Sequence, residues 1–384
     1  MKVLIAHNTY RTRGGEDAVV ENERRLLAEA GNEVIYFEKS NDVVNSFFSK
    51  VVAAAFSIFS PISFFQLVFL IMRTRPNVVH VHNFFPQISP SIFFACRLMG
   101  VRSVLTLHNY RTICPTAFLM YNGKIETRSI NKGPWWAVKK RVYRNSYFGT
   151  FFLAAMIDFH RRIGTWRSSV DRFIVFTEFS KTLFVQAGFP KDKLFIKPNF
   201  VFETARPLAS TAGVAYLLYV GRLSEEKGLD VLLRATRALK DRGMKFELVV
   251  VGDGPLKDSV QSEGETLKYL GKKSSDEVVS LMRSALAVVM PSLWFEGMPM
   301  VLIESFSVGT PVIASNLGAL AELVDHGETG LLFEPGNQTQ LEQCMEVALT
   351  DSTKLSRMRA NAYGKYAERY SAESNIRYLM EAYK

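Results

Sequence analysis

Cysteine is scarce in this chain. Its 384 residues include Cys96, Cys114 and Cys344, which are widely separated and form no C-x-x-C pair. Three isolated thiols fit neither a disulfide framework nor a cysteine-based zinc site. The sequence therefore predicts a protein of a reducing compartment whose fold depends on apolar cores. Its 48% content of hydrophobic residues is sufficient for two such cores in a chain of this length.

An internal repeat and a low-complexity tract are not visible in the sequence, and we expect no signal peptide. The amino terminus MKVLIAHNTY has one basic residue before a short apolar run. This pattern is typical of a buried strand and not of a signal peptide. We therefore expect a cytoplasmic location.

Acidic residues are few in the first half of the chain. Residues 1–200 carry 27 Lys and Arg against 13 Asp and Glu, a formal charge of +14, whereas the remainder carries 20 against 24. A basic half beside a mildly acidic one indicates that one domain faces a polyanion, either an anionic bilayer or a nucleic acid; the alternative is that the charge serves solubility alone. Because no nucleic-acid recognition motif is present, we expect an anionic membrane surface as the partner and no nucleic acid.

Apolar runs of strand length alternate with longer segments of helical spacing. These runs form two series of six, at 3–6, 33–37, 78–82, 103–107, 173–176 and 194–197, and at 216–220, 246–251, 266–270, 286–290, 311–314 and 330–333. Apolar strands joined by helices are typical of parallel sheets covered on both faces. Two series predict an α/β protein with two doubly wound Rossmann-like domains. The predicted boundaries are a first domain at 1–199, a linker at 200–213, a second domain at 214–365 and a C-terminal helix at about 366–384 that packs back on the first domain.

Two segments of the first domain raise the question of membrane contact. Residues 51–72 are uncharged and long enough to span a bilayer, but Pro61 interrupts them and a span would divide the first sheet. What remains is either core helices or helices that contact the membrane interface. The aromatic residues concerned are Phe56, Phe59, Phe64 and Phe65. Residues 134–167 interleave aromatic and basic side chains and leave the same two alternatives open.

The most specific pattern is EGMPMVLIE at 296–304, which follows the strand predicted at 286–290. Proline suits the first position of a helix. The free N–H groups of residues 298–301 and the positive helix end would then face an anion such as a diphosphate. Glu296 could accept hydrogen bonds from sugar hydroxyls, and Glu304 from the vicinal hydroxyls of a ribose. A glycosidase pair of carboxylates is the alternative, but no second nucleophile accompanies it.

A second pattern, GRLSEEKG at 221–228, directly follows the strand predicted at 216–220. Arg222 and Lys227 in a glycine turn supply two positive donors that could grip a pyrophosphate without a metal. The turn VGDGP at 251–255, which contains Gly252, ends the next strand and is equally consistent with an ordinary connection between strand and helix.

These motifs, in this order, resemble the donor domain of glycosyltransferase family 4. The resemblance covers most of residues 216–340 and includes GTPVIAS and ETGLLFEPGN. It implies a GT-B fold, in which two Rossmann-like domains face a cleft, and a retaining reaction with the E-x7-E motif. It also implies that Arg222 and Lys227 hold the donor diphosphate, that Glu296 contacts the transferred sugar and that Glu304 contacts the ribose. The candidate donor-binding residues are Gly14, Gly15, Gly221, Arg222, Lys227, Gly252, Glu296, Gly297, Met298, Pro299, Met300 and Glu304.

The first domain resembles the family more loosely. It contains RTRGGED after the first strand, VVHVHN at 78–83 and TLHNYR at 106–111. Glycines at 14 and 15 would let the backbone approach a phosphate. His108 matches the family's active-site histidine and joins Glu296, Lys227 and Arg222 as a candidate catalytic residue. His82, Asn83 and Arg111 are candidate acceptor-binding residues, whereas His80 is expected in the core.

We therefore expect a retaining transferase that moves a hexosyl group from a UDP- or GDP-sugar. The expected acceptor is a membrane-associated glycan linked to a polyprenyl diphosphate, as in surface polysaccharide biosynthesis, and the expected location is the inner face of the cell membrane. No D-x-D pair for a metal is present, so we expect neither a metal nor a cofactor. The alternatives are an inverting transferase or sugar-nucleotide epimerase of the same fold, and a non-catalytic membrane-associated protein that binds nucleotide sugars.

Overall fold

The computed structural model describes residues 1–9, 14–40, 54–203 and 215–384. Its chain forms two compact units. The first comprises Met1–Tyr121, Ile125–Pro198 and Asn375–Lys384, and the second comprises Asn122–Lys124 and Asn199–Ser374. Residues 204–213 of the predicted linker and residues 51–53 of the uncharged segment lie outside the described residues.

The first eight strands form a six-stranded sheet and a short hairpin. They are β1 (Lys2–Thr9), β2 (Glu33–Ser40), β3 (Val78–Asn83), β4 (Arg102–Thr106), β5 (Met120–Tyr121), β6 (Lys124–Ile125), β7 (Arg172–Val175) and β8 (Leu194–Ile196). The order is β2-β1-β3-β4-β7-β8, with every pair parallel, and β5 pairs with β6 separately. The helices of this part of the chain are α1 (Gly15–Glu29), α2 (Pro61–Thr74), α3 (Ser91–Leu98), α4 (Arg128–Lys132), α5 (Trp136–Lys139), α6 (Tyr147–Arg162), α7 (Thr165–Ser168) and α8 (Glu178–Gln186), followed by a 3-10 turn at Lys191–Lys193.

A second six-stranded parallel sheet follows. Its strands are β9 (Tyr216–Val220), β10 (Glu247–Val251), β11 (Lys268–Tyr269), β12 (Ala287–Met290), β13 (Val312–Ser315) and β14 (Gly330–Phe333), in the order β11-β10-β9-β12-β13-β14. The helices are α9 (Leu229–Asp241), α10 (Lys257–Gln261), α11 (Ser275–Ser284), α12 (Met300–Ser307), α13 (Gly318–Leu323), α14 (Gln338–Thr350), α15 (Ser352–Arg369) and α16 (Ala372–Ala382), with 3-10 turns at Glu225–Lys227 and Gly264–Thr266.

All twelve apolar runs singled out in the sequence are strands of these two sheets, so the prediction of an α/β fold with two parallel sheets is confirmed. The reason is burial on both faces, which requires near-continuous apolar strands. β3 and β12, for example, are buried at every position. The hairpin of β5 and β6 is an element that the sequence did not predict, because each strand has only two residues.

The last helix supplies part of the first unit's core. Leu379, Ala382 and Tyr383 are buried with Val3 and Ile5 of β1. These apolar side chains recur at intervals of three and four residues, the spacing of one helix face. Residues that follow the whole second sheet in sequence therefore pack against β1 of the first sheet.

The uncharged segment around α2 is neither wholly in the core nor wholly exposed. Ser63, Leu67 and Ile71 of α2 are buried, whereas the opposite face is exposed to solvent. That exposed face consists of Ile62, Phe65, Phe69 and Met72. Among the helices of the described residues, none is long and apolar enough to cross a bilayer.

Candidate active site

In each sheet the strand order reverses at one point, and the functional motifs lie there. In the second sheet β9 lies between β10 and β12, so the connections that follow β9 and β12 lead away in opposite directions. A crevice at such a reversal, outside the carboxyl ends of the strands, is the usual ligand-binding place of open α/β sheets. The motifs at 221–228 and 291–299 are the loops that follow these two strands.

Glu296 forms the centre of the candidate site in the second unit. Its Oε1 accepts hydrogen bonds from Lys227 Nζ at 2.7 Å, from Ser292 Oγ at 2.7 Å and from Trp294 Nε1 at 2.9 Å. The residue is 4% exposed, so these bonds are made in a largely water-excluded place. Three donors on one oxygen hold the carboxylate in one orientation, and none of the three uses Oε2. The arrangement suits a carboxylate that presents Oε2 to the hydroxyl groups of a ligand.

Lys227 is held from two directions. Besides its bond to Glu296, its Nζ lies 5.2 Å from the centroid of the Trp294 ring, where the indole face attracts a cation. An ammonium has three N–H donors, and the bond to Glu296 uses one of them. Lys227 can therefore bind an anion while it stays paired with Glu296, a pairing that the sequence did not reveal.

Gly228 brings the two loops together. Its φ is +69°, and a Cβ at this position would lie 1.8 Å from the carbonyl oxygen of Pro291. Both the backbone conformation and the available space therefore require glycine. The end of the GRLSEEKG loop packs directly on the start of the loop that contains Glu296, which explains how Lys227 reaches the carboxylate.

Gly252 has a similar role in packing. Its φ is +144°, and a Cβ would lie 1.8 Å from the carbonyl oxygen of Gly221. The N–H of Gly221 in turn donates to Val251 O at 3.0 Å. These contacts account for the glycine at 252 by backbone packing alone, so of the two interpretations of VGDGP the structure favours the ordinary turn.

Arg222 presents its side chain to solvent. Its backbone carbonyl accepts hydrogen bonds from Tyr219 Oη at 2.8 Å and from the N–H of Ser224 at 3.1 Å. Within the described ranges the guanidinium has no hydrogen bond or ion pair with the protein. The loop thus fixes the backbone of Arg222 and leaves its guanidinium for a ligand.

The EGMP segment leads into α12. Pro299 is extended and forms the N-cap, so the helix begins one residue later than predicted, at Met300. Met298 is a packing residue, because Asn199 donates its backbone N–H to Met298 Sδ at 3.1 Å and its Nδ2 to Met298 O at 3.2 Å. Gly297 is half-buried beside it. Glu304 lies half-buried in α12, and burial raises the pKa of its carboxyl above the ordinary value.

In the first sheet the order reverses between β1 and β3, and a cavity of about 30 Å³ lies at the carboxyl ends of β3 and β4. His82, Asn83, His108 and Arg111 all line it. All three candidates for acceptor binding therefore line one cavity with His108, and Asn83 also has a structural role. Its Nδ2 donates to Asn8 O at 2.9 Å and its Oδ1 accepts from the N–H of Phe85 at 2.9 Å.

Arg111 is poised for an anion. Its guanidinium carbon lies 4.8 Å from the centroid of the Phe85 ring and 5.8 Å from that of Tyr143, and the two rings hold it in place. Its Nη1 is buried and has no hydrogen-bond acceptor in the part of the chain that the structure describes. A buried donor without an acceptor is costly, and a phosphate oxygen would remove that cost.

Gly14 and Gly15 stand at the start of α1, where both are exposed. Among the described residues, a Cβ on either would meet no atom within 4 Å. The N–H of Gly14 is taken by Asp17 Oδ2 at 2.8 Å, and Asp17 Oδ1 also lies 2.9 Å from His7 Nε2.

Beneath this cavity lies a buried polar cluster that the sequence did not predict. Glu23, Lys197, His80 and Tyr383 are its members beside His82. His80 is buried, as expected, and bonds to Tyr383 Oη at 2.8 Å and Thr106 Oγ1 at 2.7 Å. One signal for the cluster was present, because Glu23 occupies the apolar stripe of α1 with Val19, Val20, Leu26 and Leu27.

The comparisons with known proteins agree with this architecture. Residues 202–365 match the family described as glycosyl transferases group 1, and residues 13–203 match glycosyltransferase family 4. The chain is 25% identical over 345 residues to the sulfoquinovosyl transferase SQD2 of Arabidopsis thaliana, with 85% of this chain and 61% of that protein covered. It is 30% identical over 171 residues to WcaL of Escherichia coli, a putative colanic acid biosynthesis glycosyltransferase, with 41% of this chain and 42% of that protein covered.

The matched part thus spans about half the length of these curated relatives. Among solved structures, the Anabaena protein HepE in complex with UDP has a TM-score of 0.67 and 17% identity, with 99% of both chains covered. At this identity the likeness shows the fold, and the GT-B fold expected from the sequence is confirmed.

Proposed function

The chain belongs to glycosyltransferase family 4, and we propose that it transfers a hexosyl group, with retention, from a UDP- or GDP-sugar to a lipid-linked glycan at a membrane surface. The observation that carries the proposal is the pairing of Lys227 with Glu296 at 2.7 Å, beside the N-terminus of α12. A cation that would bind the diphosphate thus lies next to an oriented carboxylate that would bind the sugar. The similarity to a sulfoquinovosyl transferase and to a putative colanic acid biosynthesis glycosyltransferase supports the class of reaction.

The donor would be held without a metal in this proposal. Lys227, Arg222 and the first N–H groups of α12 would offset the charge that develops on the departing nucleotide, and such preorganised groups are usually the largest contribution to rate. Glu296 would bind the sugar and Glu304 the ribose. In the first unit, His108 would bind a hydroxyl group of a substrate, and Arg111 the phosphate of the acceptor.

The membrane surface is proposed from two exposed apolar faces of the first unit. One is the face of α2 with Phe65 and Phe69, which are 67% and 64% exposed. The other is on α6, where Phe148 and Phe151 are 58% and 46% exposed. His160 Nε2 near the end of α6 lies 2.7 Å from the carbonyl oxygen of Ile58, which precedes α2. With a formal charge of +14 on residues 1–200, these faces fit an anionic bilayer.

The donor is tested by thermal unfolding with UDP, GDP, ADP or CDP in the presence of EDTA. We expect UDP or GDP to raise the melting temperature, because a ligand at ~100 times its Kd stabilises the folded state by about 2.7 kcal/mol. The anomer formed from UDP-glucose or GDP-mannose, followed by NMR, then distinguishes retention from inversion. Epimerised donor, or nucleotide binding without any turnover, would contradict the proposal.

The membrane partner is tested by sedimentation with vesicles of phosphatidylglycerol and with vesicles of phosphatidylcholine. We expect binding to the anionic vesicles, and its loss in Phe65→Ser/Phe69→Ser. Val185→Ser is the matched control, because it is an exposed apolar residue of α8 outside both faces. Equal loss of binding in the control would argue against these faces as the contact.

A further inference from the structure

A line of three side chains leads from the core of the first unit to its cavity. His108 Nε2 lies 3.0 Å from His82 Nδ1, and His82 Nε2 lies 3.4 Å from Glu23 Oε2. Glu23 and His82 are buried, whereas His108 is partly exposed and lines the cavity. The two imidazole rings lie 5.3 Å apart between their centroids. The three residues come from α1, from β3 and from the loop after β4.

The inner end of this line carries a negative charge. Lys197 Nζ lies 2.6 Å from Glu23 Oε1, and both side chains are 0% exposed. Lys197 also donates to Asn375 Oδ1 at 3.1 Å. A buried lysine and a buried glutamate this close form an ion pair, since either charge alone would be costly to bury. Glu23 therefore faces His82 as a carboxylate, which can only accept hydrogen bonds.

The histidines of this line are neutral. Burial lowers the pKa of His108 to about 3, helped by the positive charge of Lys197 and by His7, and burial likewise lowers the pKa of His82 well below its ordinary value. A neutral imidazole has one nitrogen that donates and one that accepts. The position of each proton therefore depends on the neighbouring groups.

One placement of the protons agrees with the negative charge of Glu23. His82 Nε2 faces a carboxylate oxygen, so the proton of His82 belongs on Nε2 and its Nδ1 is an acceptor. His108 Nε2 must then donate to His82 Nδ1, which leaves His108 Nδ1 without a proton. The opposite placement would direct a lone pair of the buried His82 at the carboxylate, which repels it. The 3.4 Å separation is longer than a usual hydrogen bond, and in the described residues neither His82 Nε2 nor the carboxylate oxygens of Glu23 have a hydrogen-bond partner. Glu23 therefore acts on His82 through its charge.

We propose that Glu23 is a positioning residue that fixes the tautomer of His108 through His82, so that His108 Nδ1 accepts a hydrogen bond from a substrate hydroxyl. This inference rests on the proposed function, because it assumes that His108 binds a hydroxyl group of the donor or acceptor. Glu23 itself touches no substrate. Because the tautomer is fixed, the ring proton does not have to move between Nε2 and Nδ1 before Nδ1 accepts a hydrogen bond from the substrate hydroxyl.

The same carboxylate and imidazoles could in principle hold a metal ion, since the ligand atoms of Glu23, His80 and His82 lie within 4.8 Å of one another. The bonding partners argue against it. Lys197 occupies one oxygen of Glu23, and both nitrogens of His80 are bonded, to Tyr383 and Thr106. An ammonium inside the cluster would repel a divalent cation. These contacts therefore favour the line from Glu23 through His82 to His108 over a metal site.

The test is the proton position in the unmodified protein. With ¹⁵N-labelled histidine, two-bond ¹⁵N–¹H correlation spectra distinguish the two tautomers of each ring, and the His82→Asn and His108→Asn variants assign the signals. We expect the proton of both His82 and His108 on Nε2. A proton on Nδ1 of either ring overturns the proposal. This result does not depend on any activity, so it stands apart from the outcome for the proposed function.

The role of Glu23 is tested by Glu23→Gln/Lys197→Met, which removes both charges at nearly constant volume. We expect mixed tautomers for His82 and His108 and a fall in kcat on the order of tenfold, with KM for the donor unchanged. Tyr383→Phe is the matched control, because it removes a hydrogen bond to His80 and leaves the line to His108 intact. Unchanged tautomers in the double variant, or changed tautomers with an unchanged kcat, overturn the proposal. An active wild type whose His108→Asn variant is equally active would instead refute the proposed role of His108.

Discussion

The two sheets bury their charges differently. In the second unit the core beside the sheet is apolar, with Leu217, Val250 and Ile313 among its members, and the pair of Lys227 with Glu296 lies in the loops at the strand ends. In the first unit an ion pair of Glu23 and Lys197, with side chains 0% exposed, lies within the fold itself. In the second unit, different side chains therefore form the core and the candidate site. In the first unit, the same buried side chains belong to both.

The largest effect is expected from breaking the buried pair. Glu23→Ala leaves the Lys197 ammonium uncompensated, and removal of one partner of a buried pair typically costs about 3–5 kcal/mol. The free energy of unfolding, measured by urea titration, should fall by that amount. Glu21→Ala is the control on the same helix, since Glu21 pairs with Arg24 at the surface, where such pairs contribute about 0–1 kcal/mol. Equal losses in the two variants would contradict the importance of the buried charge.

In the second unit the corresponding change should affect activity and not folding. Lys227→Met removes a donor to the developing charge and is expected to lower kcat by about 100- to 1,000-fold. Glu296 keeps its bonds to Ser292 and Trp294, so the urea midpoint should change little. Lys272→Met, an exposed lysine of the same unit, should retain wild-type turnover. Transfer at the wild-type rate by Lys227→Met would refute the assignment of the donor site.

A smaller effect is expected at the glycine that joins the two loops. Gly228→Ala would place a methyl group 1.8 Å from Pro291 O at a positive φ, so the loops must separate, at a cost of roughly 1–3 kcal/mol. Gly243→Ala is the control, because its φ of +85° is also positive but a Cβ there meets no atom of the described residues within 4 Å. The difference between the melting temperatures of the two variants measures the effect of the steric clash with Pro291. If Gly243→Ala lowers the melting temperature equally, the positive φ alone is responsible.

The smallest effect is expected from lowering the pH, which should destabilise the first unit and not the second. Burial lowers the pKa of His80, His82 and His108 in the folded first unit, whereas an unfolded histidine titrates near 6.5. Below about pH 6.5 the unfolded chain binds protons that the folded unit does not, so stability present at pH 7 falls, by up to ~1.4 kcal/mol per pH unit for each histidine. Hydrogen exchange at pH 7 and pH 5.5, corrected for intrinsic rates, should show weakened protection in β3 and β4 and not in β9 and β12. The second unit has one histidine, the exposed His326; equal weakening of both sheets would exclude the histidines as the cause.

The sequence named more of the candidate residues that the structure brings together in the second unit than in the first, for a physical reason. Arg222, Lys227, Glu296 and Glu304 lie in two contiguous motifs, each following an apolar strand, so local pattern and topology were sufficient to find them. The family and the fold followed from the same motifs and are confirmed. The pairing of Lys227 with Glu296 was not foreseen, because it depends on how closely Gly228 approaches Pro291.

The cluster in the first unit depends on long-range placement. Glu23, Lys197 and Tyr383 are separated by more than 170 residues in sequence and meet only because β8 and α16 return to the first sheet. No local pattern determines such a meeting. The local sequence shows only that Glu23, a charged residue, stands at an apolar position of α1. Such a position indicates a buried partner but does not identify it.

The packing of the last helix on the first sheet also affects the order in which the two units can complete their folding. Asn375, which bonds to Lys197, and Leu379, which packs on β1, leave the ribosome after all of the second unit. During synthesis domains generally fold as units, starting from the amino terminus. Here the first unit to emerge cannot complete its core, or fully satisfy its buried lysine, until the second has been translated. The amino-terminal sheet therefore stays partly uncovered until Asn375–Lys384 have been translated.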